Sequence, residues 1–337
     1  MSMSTRQYVL NATPQALPIL TGPTPTFKLS TTPLPPISPT QALLKTLLVS
    51  NDPAQRIMLN GLPPDTPIPA LVLAQVLESG SPEKLPTGSI VFVWSSWTEY
   101  AVREIESCRV VEPIEGLSLG HFLGALGTNG LTAYYGLVEI VKARREDTVV
   151  VSGAAGATGS MAVQIARGVL GCKRVIGIAG SDEKCRWVEK LGADVCVNYK
   201  KASFEEDLVR ATDGLVDVFF DNVAGRILDL MLDRMKHHGR VALCGTITGY
   251  NDSDAVGVKN LHEIVTRGVS IHGFTMFDYM HKVREVIALL AQAWKEGKIV
   301  LDDSLETLVE APFEDVPRVW MRLFEGGNTG KLVTKFV

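Results

Sequence analysis

Hydrophobic and polar positions change rhythm twice along the chain. From about residue 148 to 276, apolar runs rich in β-branched residues alternate with amphipathic stretches. The runs at 148–153, 174–179, 194–198, 216–221, 240–246 and 269–276 read as strands. Those at 159–170, 182–191, 203–212, 225–237 and 259–267 have apolar residues at helical spacing and read as helices. Strands that are apolar on both faces and separated by helices predict a parallel sheet covered on both sides, a doubly wound α/β fold. Six strands fit the full Rossmann arrangement.

The flanks differ. Short strands are predicted at 8–10, 26–29, 70–79, 89–93 and 99–102, and an apolar run at 42–49 is broken by Ser50-Asn51-Asp52-Pro53. Pro- and Gly-rich turns between them predict a compact, mostly β domain. Helical stretches at 119–127 and 131–143 lead into the central alternation. Beyond it, 278–298 predicts a long amphipathic helix carrying Val283, Val286, Ile287, Leu290, Ala291 and Trp294 on one face, with Gly297 as its end. A strand at 305–309, a helix at 313–325 and a last strand at 331–337 follow. This tail is expected to return to the N-terminal β domain. The expected division is therefore 1–122 with 300–337 as the β-rich domain and 123–299 as the inserted doubly wound domain.

Candidate chemistry starts at 148–159, TVVVSGAAGATG. A buried strand runs into a turn with Gly153, Gly156 and Gly159, and a helix starts at once. Small residues let backbone approach a pyrophosphate, and the helix start offers unpaired N–H groups and a positive dipole end. Between a strand and a helix, this turn predicts dinucleotide binding. In NAD-binding units an acid about 20 residues further on bonds the adenosine ribose. Here the next strand ends in Ala179-Gly180, followed by Ser181-Asp182-Glu183-Lys184. The small pair leaves room for a 2′-phosphate, Ser181 can donate to it and Lys184 supplies charge, so NADP is expected. Ser181 is also expected to cap the helix it precedes.

Composition narrows the classes. A net charge of −4 over 337 residues excludes the basic footprint of a nucleic-acid binder. No apolar run reaches the ~20 residues of a membrane helix, and the N-terminus lacks the apolar core of a secretory signal. The five cysteines are widely spaced and form no C-x-x-C pair, which argues against a disulfide framework and for reduced thiols in the cytosol. Cys196 and Cys244 lie in apolar runs and read as small core residues. His121 is the only histidine before the nucleotide domain and has no Gly-His-Glu context, and Cys108 completes no ligand set with it. Zinc catalysis is therefore not expected. His237 and His238 precede Gly239 at an expected helix end, His272 alternates within a strand, and His262 and His281 read as solvated helix residues. Trp94 and Trp97 either line a cleft or fill the β-domain core.

Ordered matches from residue 45 onward carry a resemblance. They include Ser50-Asn51-Asp52-Pro53 with Arg56, 97–102 (WTEYAV), 130–134 (GLTAY), the glycine turn, 179–184 (AGSDEK) and 198–200 (NYK). Others are 220–225 (FDNVAG), Cys244-Gly245 through Tyr250-Asn251, Gly273-Phe274, Asp278-Tyr279, Gly327-Asn328 and Gly330-Lys331. The chain resembles the medium-chain dehydrogenase/reductase superfamily. Within it, it is most similar to the zinc-independent leukotriene B4 12-hydroxydehydrogenase/prostaglandin reductase and alkenal double-bond reductase family. The resemblance implies a GroES-like β domain and a nucleotide domain binding NADP(H). It implies that Gly153, Gly156, Ala157, Thr158, Gly159 and Gly245 frame the cofactor. Ser181, Lys184 and Tyr199 would hold the 2′-phosphate and ribose, with Asn222 and Asn328 near the nicotinamide and Tyr250 beside the reacting carbonyl. It also implies a homodimer formed through the edge strand at 268–276.

Two departures fall at the family's substrate side. Ala54, followed by Gln55, stands where a tyrosine is usual, and Gly127-Thr128-Asn129-Gly130 replaces a loop with Met and often Pro. Ala54, Asn129 and Phe274 are the substrate-side candidates; for Phe274 and Phe277 a core or dimer-interface role is equally open. Without a metal, reduction of a double bond conjugated to a carbonyl is the accessible hydride chemistry, because the charge develops on an enolate oxygen that one donor can stabilise. Tyr250, after the fifth strand and at the carboxyl edge of the sheet, is the candidate donor; the alternative is that it only packs or gates the loop. The expected substrate is an enone or enal, including a bulky natural-product intermediate. A quinone reductase, or a non-catalytic NADPH-binding partner protein, are the alternatives.

Overall fold

The structure, a computed structural model, describes residues 3–337. Two units emerge: the described residues up to Leu123 together with Glu306–Val337, and Gly124–Leu305.

The first segment holds β1 (Ser4–Leu10), β2 (Phe27–Pro33), β3 (Gln41–Asn51), α1 (Gln55–Met58), β4 (Pro69–Ser79), β5 (Ile90–Ser96), β6 (Tyr100–Glu104) and β7 (Arg109–Val110). The apolar run at 42–49 is thus the centre of β3, whose alternating burial marks one face on a core. The middle of the chain supplies α2 (Thr128–Tyr135), β8 (Thr148–Val151), α3 (Ala157–Gln164), β9 (Arg174–Ala179), α4 (Asp182–Lys190), β10 (Val195–Asn198) and α5 (Phe204–Ala211). It continues with β11 (Val216–Asp221), α6 (Gly225–Leu232), β12 (Met235–Leu243), α7 (Leu261–Arg267), β13 (Ser270–Gly273) and α8 (Val283–Lys295). The tail adds β14 (Glu306–Ala311), α9 (Val316–Glu325) and β15 (Lys331–Phe336).

In the first unit β14-β15-β3-β4-β5-β7 form one sheet, with β6 also on β3 and β1 paired to β2. The returning tail is stitched in by β15 against β3, antiparallel, with Leu332 opposite Asn51. Its core is aromatic. Trp97 and Trp320 are fully buried with ring centroids 5.7 Å apart, and Phe27 lies 5.1 Å from Trp97. Trp97 is therefore core, while Trp94 is 42% exposed. Beneath this core Lys331 is buried, its ammonium 2.6 Å from Asp52 Oδ1.

In the second unit the strand order is β10-β9-β8-β11-β12-β13, all parallel. Numbered along the sheet's own strands this is 3-2-1-4-5-6, the Rossmann order, with its switch point between β8 and β11. β8 is buried at every position, as the apolar run predicts.

Several expected elements shift. The expected helix at 225–237 stops at Leu232, and β12 begins at Met235. His237 and His238 lie in a bulge of β12, exposed, with His238 at φ 60°; they cap no helix. The register moves from Val216 opposite Met235 to Val218 opposite Arg240, which loops these residues out. The stretch at 119–127 yields only a 3₁₀ turn at Leu119–Phe122, and 131–143 becomes α2 plus a π turn at Gly136–Ile140. The long helix expected at 278–298 is split: a 3₁₀ segment, Met276–Lys282, is kinked at Tyr279 before α8.

Candidate active site

The glycine turn joins β8 to α3. Gly153 has φ 56°, a left-handed conformation that favours glycine. A methyl group on Gly159 would strike the Gly153 carbonyl and stand 2.8 Å from Ala154 Cα, so only glycine lets α3 pack this closely on the turn. A methyl on Gly156 would meet only the Gly153 carbonyl, at 3.3 Å, leaving open space above the turn. No side chain caps α3, whose first turn contains Ala157 and Thr158. Its leading N–H groups are thus left for an anion. These features fit a pyrophosphate.

At the end of β9, the Tyr199 ring covers Gly180: a methyl on that glycine would lie 3.0 Å from the tyrosine hydroxyl. Ser181 Oγ accepts from the Lys184 backbone N–H at 3.1 Å, so it does cap α4. Burial, followed by the nearby Lys200 charge, holds the Lys184 ammonium below the ordinary lysine value. Positive charge near a helix start favours an anion, and a ribose 2′-phosphate has the right chemistry. Lys200 carries a sequence match, and its charge bears on Lys184 only through the fold.

At the switch point, the carboxyl ends of β11 and β12 bring Asp221, Asn222, Cys244 and Gly245 beside the turn. A methyl on Gly153 would meet Asn222 Cβ at 3.4 Å, and one on Gly245 would meet the Asn222 carbonyl at 2.8 Å. Asp221 is fully buried and accepts from Ser152 Oγ at 2.6 Å and from the Val223 and Ala224 backbone N–H groups. Burial pushes its carboxyl up, against these hydrogen bonds. Cys244 is not a plain core residue: its thiol donates to Asn222 Oδ1 at 3.0 Å. Cys196 is likewise only partly buried, whereas Cys172 and Cys185 are buried.

Tyr250 follows a 3₁₀ turn, Ile247–Gly249. Burial raises its hydroxyl pKa above the usual tyrosine value, so the hydroxyl remains a donor through neutral pH. Asn129, in the first turn of α2, donates from Nδ2 to Thr158 Oγ1 at 3.0 Å, touching the glycine turn. Phe274 packs edge-on to Phe220, 6.4 Å between centroids, over Gly136. In the other unit, Ala54 is exposed just before α1. Asn328 Nδ2 donates to the Gly330 carbonyl at 3.1 Å in the turn before β15.

His121 sits buried, Nδ1 3.0 Å from Glu306 Oε1. Among the described residues no group of three or more His, Cys, Asp or Glu side chains is placed to hold a metal.

Two family models match the chain. One, described as the N-terminal domain of oxidoreductase, covers residues 6–111, and one described as zinc-binding dehydrogenase covers 157–292. The chain is 37% identical to prostaglandin reductase 1 of Bos taurus over 314 residues, 92% of this chain and 93% of that protein. It is 35% identical to the NADP(+)-dependent 2-alkenal reductase of Nicotiana tabacum over 305 residues, 86% of each. The chain belongs to the prostaglandin reductase and alkenal reductase family of zinc-independent medium-chain dehydrogenases/reductases. Among solved structures, CurA from Vibrio vulnificus superposes with a TM-score of 0.89 at 30% identity, covering 99% of both chains. A CurA structure in complex with NADPH superposes at 0.87, also at 30% identity, covering 98% of this chain and 99% of that one. These matches fit the α/β fold described above.

Proposed function

We propose that this chain is an NADPH-dependent reductase of the carbon–carbon double bond in α,β-unsaturated ketones or aldehydes. The observation that carries the proposal is the open glycine turn at the sheet's switch point, accompanied by Ser181 and the half-buried Lys184 after the next strand. Membership of a family with NADP-dependent alkenal and prostaglandin reductases supports it.

In this reading the N–H groups around Gly156, Ala157 and Thr158 bind the pyrophosphate, helped by Gly153, Gly159 and Gly245. Ser181, Lys184, Lys200 and Tyr199 hold the 2′-phosphate and its ribose. Asn222 holds the nicotinamide end. NADPH, when bound, supplies the hydride that adds to the substrate's β carbon. Tyr250 donates a hydrogen bond to the carbonyl oxygen as enolate charge develops there, which a preorganised donor in a dry site stabilises strongly. The α carbon then takes a proton from solvent or from Tyr250. The polar Asn129, with Phe274, selects the substrate; loss of the family's tyrosine at Ala54 favours a bulky enone, such as a natural-product intermediate.

The open edge strand β13 and the exposed Leu261, Val265, Phe277 and Met280 nearby support a homodimer through this edge. Val265→Asp would then yield a monomer by light scattering; an unchanged mass would exclude that interface. Five free cysteines support residence in the reducing cytosol. Among the described residues no helix is long and apolar enough to cross a membrane.

The test is NADPH oxidation against a panel of enals, enones and simple quinones, with product identification. Saturated carbonyl products support the proposal. Turnover of quinones alone would make the protein a quinone reductase, and NADPH binding without any turnover would make it a binding protein.

A further inference from the structure

Asn222 is oriented from both ends of its side chain. Its Nδ2 donates to the Ser152 carbonyl at 2.6 Å. A carbonyl can only accept, so the nitrogen end of the amide is fixed and Oδ1 must be the opposite end. That oxygen accepts from the Cys244 thiol at 3.0 Å. The Asn222 backbone is locked as well: its N–H donates to Ser152 Oγ at 2.8 Å, and the same hydroxyl donates to the buried Asp221 carboxyl at 2.6 Å. One N–H and one oxygen lone pair of the amide are left over, at a residue that overhangs Gly153.

We infer that Cys244 is a positioning residue for the cofactor site: its S–H fixes the Asn222 carboxamide so that the unused N–H and lone pair meet the nicotinamide-side ribose. This rests on the NADP(H) reading of the glycine turn. The terminal amide torsion of asparagine is broad and soft, so an unrestrained amide samples rotations that point the wrong atom at a ligand. A thiol suits the task because burial and the Asp221 carboxylate hold it well above the usual thiol range. It therefore stays a donor at every physiological pH rather than becoming a reactive thiolate. Serine would keep the donor with a shorter reach. Alanine and valine remove it.

The experiment measures NADPH and NADP⁺ affinity by quenching of intrinsic tryptophan fluorescence, which needs no turnover, together with kcat and KM on any enone accepted. Cys244→Ala and Cys244→Val should weaken cofactor binding about fivefold, the size of one neutral hydrogen bond. Cys244→Ser should stay within about twofold of the parent. In an Asn222→Ala background, Cys244→Ala should add nothing, because the amide it orients is gone. Equal loss in both backgrounds, a serine variant as weak as alanine, or no loss in the alanine variant would each overturn the inference. A protein that binds NADPH yet reduces no enone would sink the proposed activity while leaving this affinity cycle readable.

Discussion

Replacing Lys184 with alanine separates the two nicotinamide cofactors. Lys184 is half-buried in the first turn of α4, which Ser181 caps, and feels the positive charge of Lys200. A charge pair at about 4 Å is worth about 4 kcal/mol at an effective dielectric of about 20. Screening by solvent and the surviving Lys200 bring the expected loss to about 2 kcal/mol, within the range for hydrogen bonds to charged groups. That converts to about 30-fold weaker NADPH binding, with NADH, which lacks the phosphate, changed less than about twofold. Dissociation constants from fluorescence titration, and kcat/KM for each cofactor, give the ratio. The pH dependence has a definite sign. In the free protein burial and Lys200 lower the Lys184 pKa below 10.5, whereas a bound phosphate favours the charged amine. Binding therefore takes up a proton in alkaline solution, and NADPH preference is full at neutral pH and fades as pH rises through the lowered value. Lys184→Arg, which keeps its charge, should abolish that fading. An equal loss for NADPH and NADH in the alanine variant would refute the assignment of this site to the phosphate.

Other substitutions probe the remaining parts. Gly159→Ala should destabilise the protein by about 1–3 kcal/mol in urea unfolding, because the new methyl meets backbone atoms of Gly153 and Ala154 that cannot swing away. Tyr250→Phe should lower kcat about 100-fold, as for loss of one oxyanion donor, with NADPH affinity unchanged; an unaltered kcat would leave Tyr250 as a packing residue. Lys331→Met should cost about 3 kcal/mol of stability, since it strands the Asp52 carboxylate that Lys331 holds at 2.6 Å. An unchanged urea midpoint would show that Ser50, which also donates to Asp52, suffices.

The doubly wound unit was legible because its strands are nearly uniform in character. β9 and β11 fall at the residues where the apolar runs place them, 174–179 and 216–221. β12 was missed at its start because Lys236, His237, His238 and Gly239 carry no period-2 pattern; the bulge that ejects them removes the alternation on which such reading depends. The π turns after α2 and α3 were hidden for a related reason. An extra residue in the last turn depends on what packs against it, here Phe220 and Phe274 over Gly136, and that is tertiary information. In the site, glycines and the Ser181–Lys184 spacing were visible as local signals. Lys200 and the thiol of Cys244 were not, since each acquires its role only when two strand ends are brought side by side. The burial of Lys331 over Asp52 depends on the pairing of β15 with β3, which no local pattern in the sequence shows.

Hydride from NADPH is expected to reach a carbon–carbon double bond. Incubating the protein with an enone and NADPH deuterated at both positions of the nicotinamide C4 tests it most directly, with the product read by proton NMR and mass spectrometry. One deuterium on the β carbon, a solvent proton on the α carbon and an intact carbonyl are expected. Deuterium on the carbonyl carbon, giving an allylic alcohol, would contradict this.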